Sequence, residues 1–207
     1  MWGQIFIFIS AILCLYWILK NIPNHLKDIK IAAGSGISLW LIMQFIAALE
    51  LTYIRQLLDI LHIVALSFAL VTMLMFIRYL RPPIFRYPYL ITIAPLLIPA
   101  ALILVIDTHL IKEIIFMTIQ AIAVIVFLLL ILAHEKNRHL KHISMISVLL
   151  FTLAFITYWF LVDVFVVEPI FWKFLLASGM IFSVFSFSNG IESTLKLSEE
   201  EHYENRR

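Results

Sequence analysis

A single cysteine, Cys14, stands in the whole chain. It can form no intrachain disulfide, and zinc sites built on several thiolates are excluded. Charge is also scarce: Asp, Glu, Lys and Arg together make up 14% of 207 residues, with a formal net charge of +2. The basic residues are scattered along the chain, so there is no footprint for a nucleic acid. No HExxH, no GxSxG and no phosphate-cradling glycine loop occurs, which removes the common signatures of metalloproteases, serine hydrolases and nucleotide enzymes. The last apolar run has no lysine at its centre, which reads LLASGMIFSVF, so a retinal-type chromophore has no anchor. His62 has no facing histidine within another run, as a haem-bearing bundle requires, and the several intramembrane histidines of a seven-helix zinc hydrolase are lacking. No cofactor is expected, and no metal is assigned.

What is present is apolar side chain. Hydrophobic residues reach 63% and the mean hydropathy is +1.04, beyond what an ordinary soluble domain can bury. The bilayer is the natural solvent for such a chain. A spanning helix needs about 20 mostly apolar residues, and seven runs of that order can be marked, at 3–20, 31–50, 57–78, 87–106, 110–133, 142–163 and 169–190. The first lacks the positively charged lead of a cleavable signal and is expected to be a retained helix. The expected fold is an all-α, polytopic bundle of seven transmembrane helices over 1–190, followed by a short charged tail at 191–207.

Direction follows from Lys and Arg. Lys20, Lys27 and Lys30 follow run 1, Arg78, Arg81 and Arg86 follow run 3, Lys136, Arg138 and Lys141 follow run 5, and Lys196, Arg206 and Arg207 lie in the tail. These are 12 of the 15 basic residues. Because the bias recurs at every second connection, the expected topology is N-terminus outside and C-terminus cytoplasmic, in a bacterial-type inner membrane. Pro95 and Pro99 in run 4 predict freed carbonyls and a kink. Tyr16, Trp17, Tyr87, Tyr89, Trp159 and Trp172 fall near run ends, as an aromatic belt does. Gly34 and Gly36 open run 2 and allow close approach to a neighbour.

The predicted outer side carries six carboxylates, Glu50, Asp59, Asp107, Glu113, Asp163 and Glu168, against Arg55, Lys112 and Lys173. His62 and His109 join them. Asp59 and His62, at i and i+3, share a helix face, and an ionisable group at the membrane edge is costly unless paired. An acidic outer cup for a small cation, an amine-bearing ligand or a divalent metal is one reading. The plainer one is that acids are less restricted than Lys and Arg by the positive-inside rule. Gln44 and Gln120 lie inside apolar runs, where amides commonly bond between helices and otherwise orient a ligand. Ser147, Thr152, Thr157, Ser183, Ser186 and Ser188 are expected to bond to their own helices or across helix contacts. The basic segment 134–142, HEKNRHLKH, suits anionic headgroups better than a metal.

The stretches SLWLIMQFIAALEL, with Trp40 inside and Glu50 at its end, MFIRYLRPP leaving run 3, and IAPLLIPAALILVIDTHL, closing on His109, resemble the seven-helix sensor region at the N-terminus of some bacterial membrane histidine kinases and related signalling proteins. The resemblance covers residues 30–190. It implies a receptor or sensor module that binds a small ligand outside; the family's cytoplasmic output domain does not occur in these 207 residues, so a separate cytoplasmic signalling protein is the implied partner. Candidate ligand-binding residues are Asp59, His62, Glu50, Asp107, His109, Asp163, Gln44 and Gln120. A small-molecule permease is the alternative. A lipid-active enzyme using the outer Asp and His groups ranks lower, since no nucleophile or metal set is visible, as does a structural subunit of a membrane complex.

Overall fold

The computed structural model describes residues 2–48, 55–81, 85–105, 109–134, 137–161 and 170–204. Within them the chain is all-helical, with no strand. The α-helices are α1 (Trp2–Asn21), α2 (Lys27–Ala48), α3 (Arg55–Leu80), α4 (Tyr89–Val105), α5 (His109–His134), α6 (Arg138–Ile156) and α7 (Ile170–Glu204). A 3₁₀ turn, Asn24–Leu26, leads into α2, and a π-helical turn, Thr157–Leu161, ends α6.

Proline stands at three of the six breaks between the helices. Pro23 stands between α1 and α2, Pro82 and Pro83 follow α3, Pro88 precedes α4 and Pro169 precedes α7; each lacks a backbone donor and suits a helix start or a loop. Asn137 begins α6 by accepting from the backbone N–H groups of His139 and Leu140, at 3.0 and 3.4 Å. Residues 138–142 of the basic segment are therefore the first turn of a helix. α4 remains helical past both Pro95 and Pro99.

Among the described residues six helices are long and apolar enough to cross a membrane: α1, α2, α5, α6 with its π turn, and the stretches Ile63–Leu80 of α3 and Ile170–Ile191 of α7. α4 is apolar throughout but is 17 residues long, at the short limit of a span. The contacts form a closed ring in the order α1, α2, α3, α5, α6, α7, with α4 laid against α3. α3 also reaches across to α7. Outward rows such as Ile111, Ile114, Ile122, Ile125, Leu129 and Leu132 on α5 are exposed, which is stable only against lipid.

The helix ends that carry the basic residues meet. Ile18 and Ile22 of α1 and its exit, Leu26 and Ile29, Phe76 and Leu80 of α3, Leu130 of α5 and Ile191 of α7 form one buried cluster. The recurrence of Lys and Arg at alternate connections thus maps onto one end of the bundle, called the basic end below. The other is the acidic end.

Small residues set the closest seams. A Cβ on Gly36 would lie 2.9 Å from Phe68 Cβ, and one on Gly179 2.9 Å from the Phe151 ring, so α2 meets α3 and α6 meets α7 at nearly backbone distance. Ser147 Oγ donates to the Gly179 carbonyl at 2.8 Å, Ser186 Oγ bonds Ser144, and Ser186 Oγ also reaches the Leu140 carbonyl at 3.0 Å. Thr152, Thr157, Ser183 and Ser188 bond within their own helices. The hydroxyls divide as expected between back-bonding and interhelical contact.

Candidate functional site

Of the eight candidate ligand residues, Glu50, Asp107 and Asp163 lie outside the described residues. Asp59 and His62 belong to the first turns of α3, and His109 is the first residue of α5; their side chains also lie outside the description. Gln44 and Gln120 are described, both half-buried. They sit on α2 and α5, which α3 separates in the ring, so the structure does not bring them together.

Gln120 has a partner instead. Trp159 Nε1 donates to its Oε1 at 2.7 Å, tying α5 to the π turn that ends α6. Widening a turn from i+4 to i+5 advances the following side chains by about one residue's rotation, ~100°, and the residue so placed is Trp159. Around it stand Tyr158, edge-on to both Trp159 and Trp172 at 5.0 Å, and Lys173, whose ammonium lies 5.6 Å over the Trp172 ring. The stem of Lys173 also covers Gly3 of α1, where a Cβ would meet Lys173 Cδ at 3.0 Å. Four helices, α1, α5, α6 and α7, are joined in this way toward the acidic end, by aromatic edges, one amide bond and one cation over a ring.

A second polar assembly closes the basic end. Asp28, in the first turn of α2, accepts from Tyr79 Oη of α3 at 3.4 Å and from Tyr89 Oη of α4 at 3.1 Å. Arg78 donates its Nε to the Tyr87 carbonyl at 3.0 Å and lies 3.7 Å over the Tyr89 ring. Tyr87 donates its hydroxyl back to the Leu74 carbonyl. Burial pushes the Tyr87 phenol above its ordinary range, with Arg81 and Arg78 drawing it partly back; it therefore stays protonated and remains a donor. Three helix ends are tied through one carboxylate, three phenols and one guanidinium.

No family model, curated protein or solved structure matches the chain. Its chemistry has to be read from these two assemblies. Among the described residues no group of three His, Cys, Asp or Glu is placed to hold a metal ion. A cavity of about 20 Å³ lies between α3, α5, α6 and α7, lined by Phe76, Phe127, Leu130, Ser144, Gly190 and Thr194 among others. It has room for about one water and is far below the several hundred Å³ of a small-molecule pocket.

The sequence reading passed over Asp28 and Tyr79 and took Tyr89 only as a belt residue. The available signal was the isolation of Asp28: between Lys20 and Lys30 and again between Arg78 and Tyr89 it is the sole acid among six Lys and Arg residues. A lone carboxylate at a basic membrane edge needs donors.

Proposed function

We propose that this chain is a seven-span receptor or sensor module of a bacterial-type inner membrane, with its N-terminus outside. It takes a small cation or cationic ligand at an acidic outer cup and passes a helix displacement to its cytoplasmic connections, where a separate signalling protein reads it. The observation that carries the reading is the course of α3. This helix holds Asp59 and His62 in its first turns, contacts α2, α4, α5 and α7 along its length, and ends in the Asp28, Tyr79, Tyr89 and Arg78 assembly. A shift of its acidic end is therefore transmitted to the junction of α2, α3 and α4. Coupling of this kind requires the ligand to favour one arrangement over the other. The resemblance of residues 30–190 to histidine-kinase sensor regions points the same way. So does α7, which runs as helix beyond its apolar stretch to Glu204.

The test is hydrogen exchange of the protein in nanodiscs, with Mg²⁺, Ca²⁺ or spermidine as the probe. Exchange at residues 27–30 and 78–90 is expected to change about threefold or more with at least one probe, and the change is expected to vanish in Asp59→Asn or His62→Gln. An unchanged pattern with all three probes, or an equal response in both variants, overturns the reading. Passage of the probe into sealed vesicles would replace it with the permease reading.

A further inference from the structure

The basic end holds three arginines whose charge no described carboxylate offsets. Asp28, the carboxylate in this quarter, is occupied by the hydroxyls of Tyr79 and Tyr89. Arg78, Arg81 and Arg86 are instead braced by their own hairpin. Arg78 and Arg86 each spend Nε on a backbone carbonyl, those of Tyr87 at 3.0 Å and Arg81 at 3.1 Å. Arg81 lies 5.3 Å over the Tyr87 ring, and Arg86 lies 5.5 Å over the Tyr79 ring. Carbonyls hold the Nε of Arg78 and Arg86, rings stand beside Arg81 and Arg86, and no described residue accepts from the terminal N–H donors of the three. A planar donor fork of this kind matches phosphate oxygens in pairs.

Height in the membrane narrows the acceptor. The apolar stretch of α3 ends at Leu80, and α4 starts at Tyr89, so the hairpin turns at the level of the lipid phosphates. Beside the arginines stand two exposed apolar side chains, Phe85 at 70% and Leu90 at 71% exposure. In water that pair is unfavourable; in the interfacial zone it inserts beside the acyl chains while the arginines meet the headgroups. We infer that the α3–α4 hairpin is a preformed site for the phosphate of an anionic phospholipid, with Arg81 and Arg86 as the donors, Arg78 as the brace and Phe85 as the apolar anchor. The shared chemistry is a pair of anionic phosphate oxygens, and free phosphate is the other source of it.

The experiment uses the full chain, delipidated in a neutral detergent, and measures retained phosphatidylglycerol against phosphatidylcholine by native mass spectrometry. Arg81→Gln/Arg86→Gln is expected to lose about thirty-fold in phosphatidylglycerol retention, at roughly fivefold per basic group. Arg138→Gln/Lys141→Gln removes the same charge from the first turn of α6 and is expected to change retention less than about threefold. Arg81→Lys/Arg86→Lys keeps the charge without the fork and is expected to fall between the two. Equal weakening by the two Gln pairs overturns the site in favour of diffuse surface charge, as does equal retention of the two lipids. Displacement of the lipid by millimolar inorganic phosphate overturns the lipid as the source. Should the double Gln variant fail to fold, Phe85→Ser decides: unchanged retention there overturns the interfacial placement.

Discussion

Replacing Gln120 by leucine removes the acceptor of the Trp159 indole N–H at a depth where water does not readily replace it. Interhelical side-chain bonds in membrane proteins contribute about 0.6 kcal/mol on average and up to ~1.7. The expected cost of Gln120→Leu is therefore ~0.5–1.5 kcal/mol, and Trp159→Phe should cost a similar share beyond its lost ring area. In a double-mutant cycle, read by unfolding in mixed micelles, the pair should couple by about 0.6 kcal/mol. A coupling indistinguishable from zero would mean that the amide is bound elsewhere in the folded protein. The amide was legible in the sequence as an interhelical donor or acceptor, because it interrupts an apolar run. Its partner was not legible, because Trp159 reaches it from within the π turn, and nothing in TYWFL marks where a helix widens. Asp28 makes a second residue-level case. Asp28→Ala leaves the Tyr79 and Tyr89 hydroxyls without their shared acceptor, and the expected loss is about 1–3 kcal/mol. Asp28→Asn, which keeps an acceptor oxygen, should lose less in the same unfolding measurement.

Two glycines two residues apart on α2, and so on roughly opposite faces, separate close packing from mere tolerance. A Cβ on Gly36 would lie 2.9 Å from Phe68 Cβ and 3.4 Å from the Ala65 carbonyl oxygen. Neither atom can rotate away, since one is anchored on the α3 backbone and the other belongs to it. Gly34 meets only the Leu15 Cδ1 atom, at 3.9 Å, an ordinary contact. Alanine gains up to ~1 kcal/mol over glycine in a helix interior, and overpacking costs ~1–3 kcal/mol. Gly34→Ala should thus be neutral or stabilising by up to ~1 kcal/mol, whereas Gly36→Ala should be destabilising by as much as ~2 kcal/mol, with thermal unfolding in detergent as the check. Both glycines were visible as candidates for close approach; the sequence could not say which one faces α3, because α2 is apolar on most sides and shows no sharp stripe. The same lack of contrast hid the position of α4 outside the ring. α7 differed in another way. Its helix continues to Glu204, so of the two forms open to the charged segment in the sequence, a frayed tail or a solvated helix extension, the described part takes the second. The 13 residues after Ile191 add about 20 Å at 1.5 Å per residue, in keeping with the Leu, Lys and Glu content of LKLSEEE.

At the scale of the whole molecule the number of crossings turns on α4. Leu80 at the end of α3 and Leu130 near the end of α5 are buried in the same cluster as Ile18 and Leu26, so both helices finish at the basic end. α5 must therefore start from the acidic end, and the chain must return there between Leu80 and His109. The 17 residues of α4 supply about 25 Å of that path, close to the hydrocarbon thickness. The proposed topology needs α4 as its seventh crossing, beside the six helices long and apolar enough to span among the described residues, and with it the termini would lie on opposite sides. Single cysteines on a Cys14→Ala background test this with a membrane-impermeant maleimide. Asn24→Cys and His139→Cys are expected to label only in inverted vesicles, and Thr52→Cys and Val166→Cys only in intact cells. If α4 did not cross, α5 would run the other way and His139→Cys would label from the side opposite to Asn24→Cys. That single discrepancy would also separate the helix ends now joined at Leu80 and Leu130, so one labelling experiment tests both the topology and the packing of the basic end.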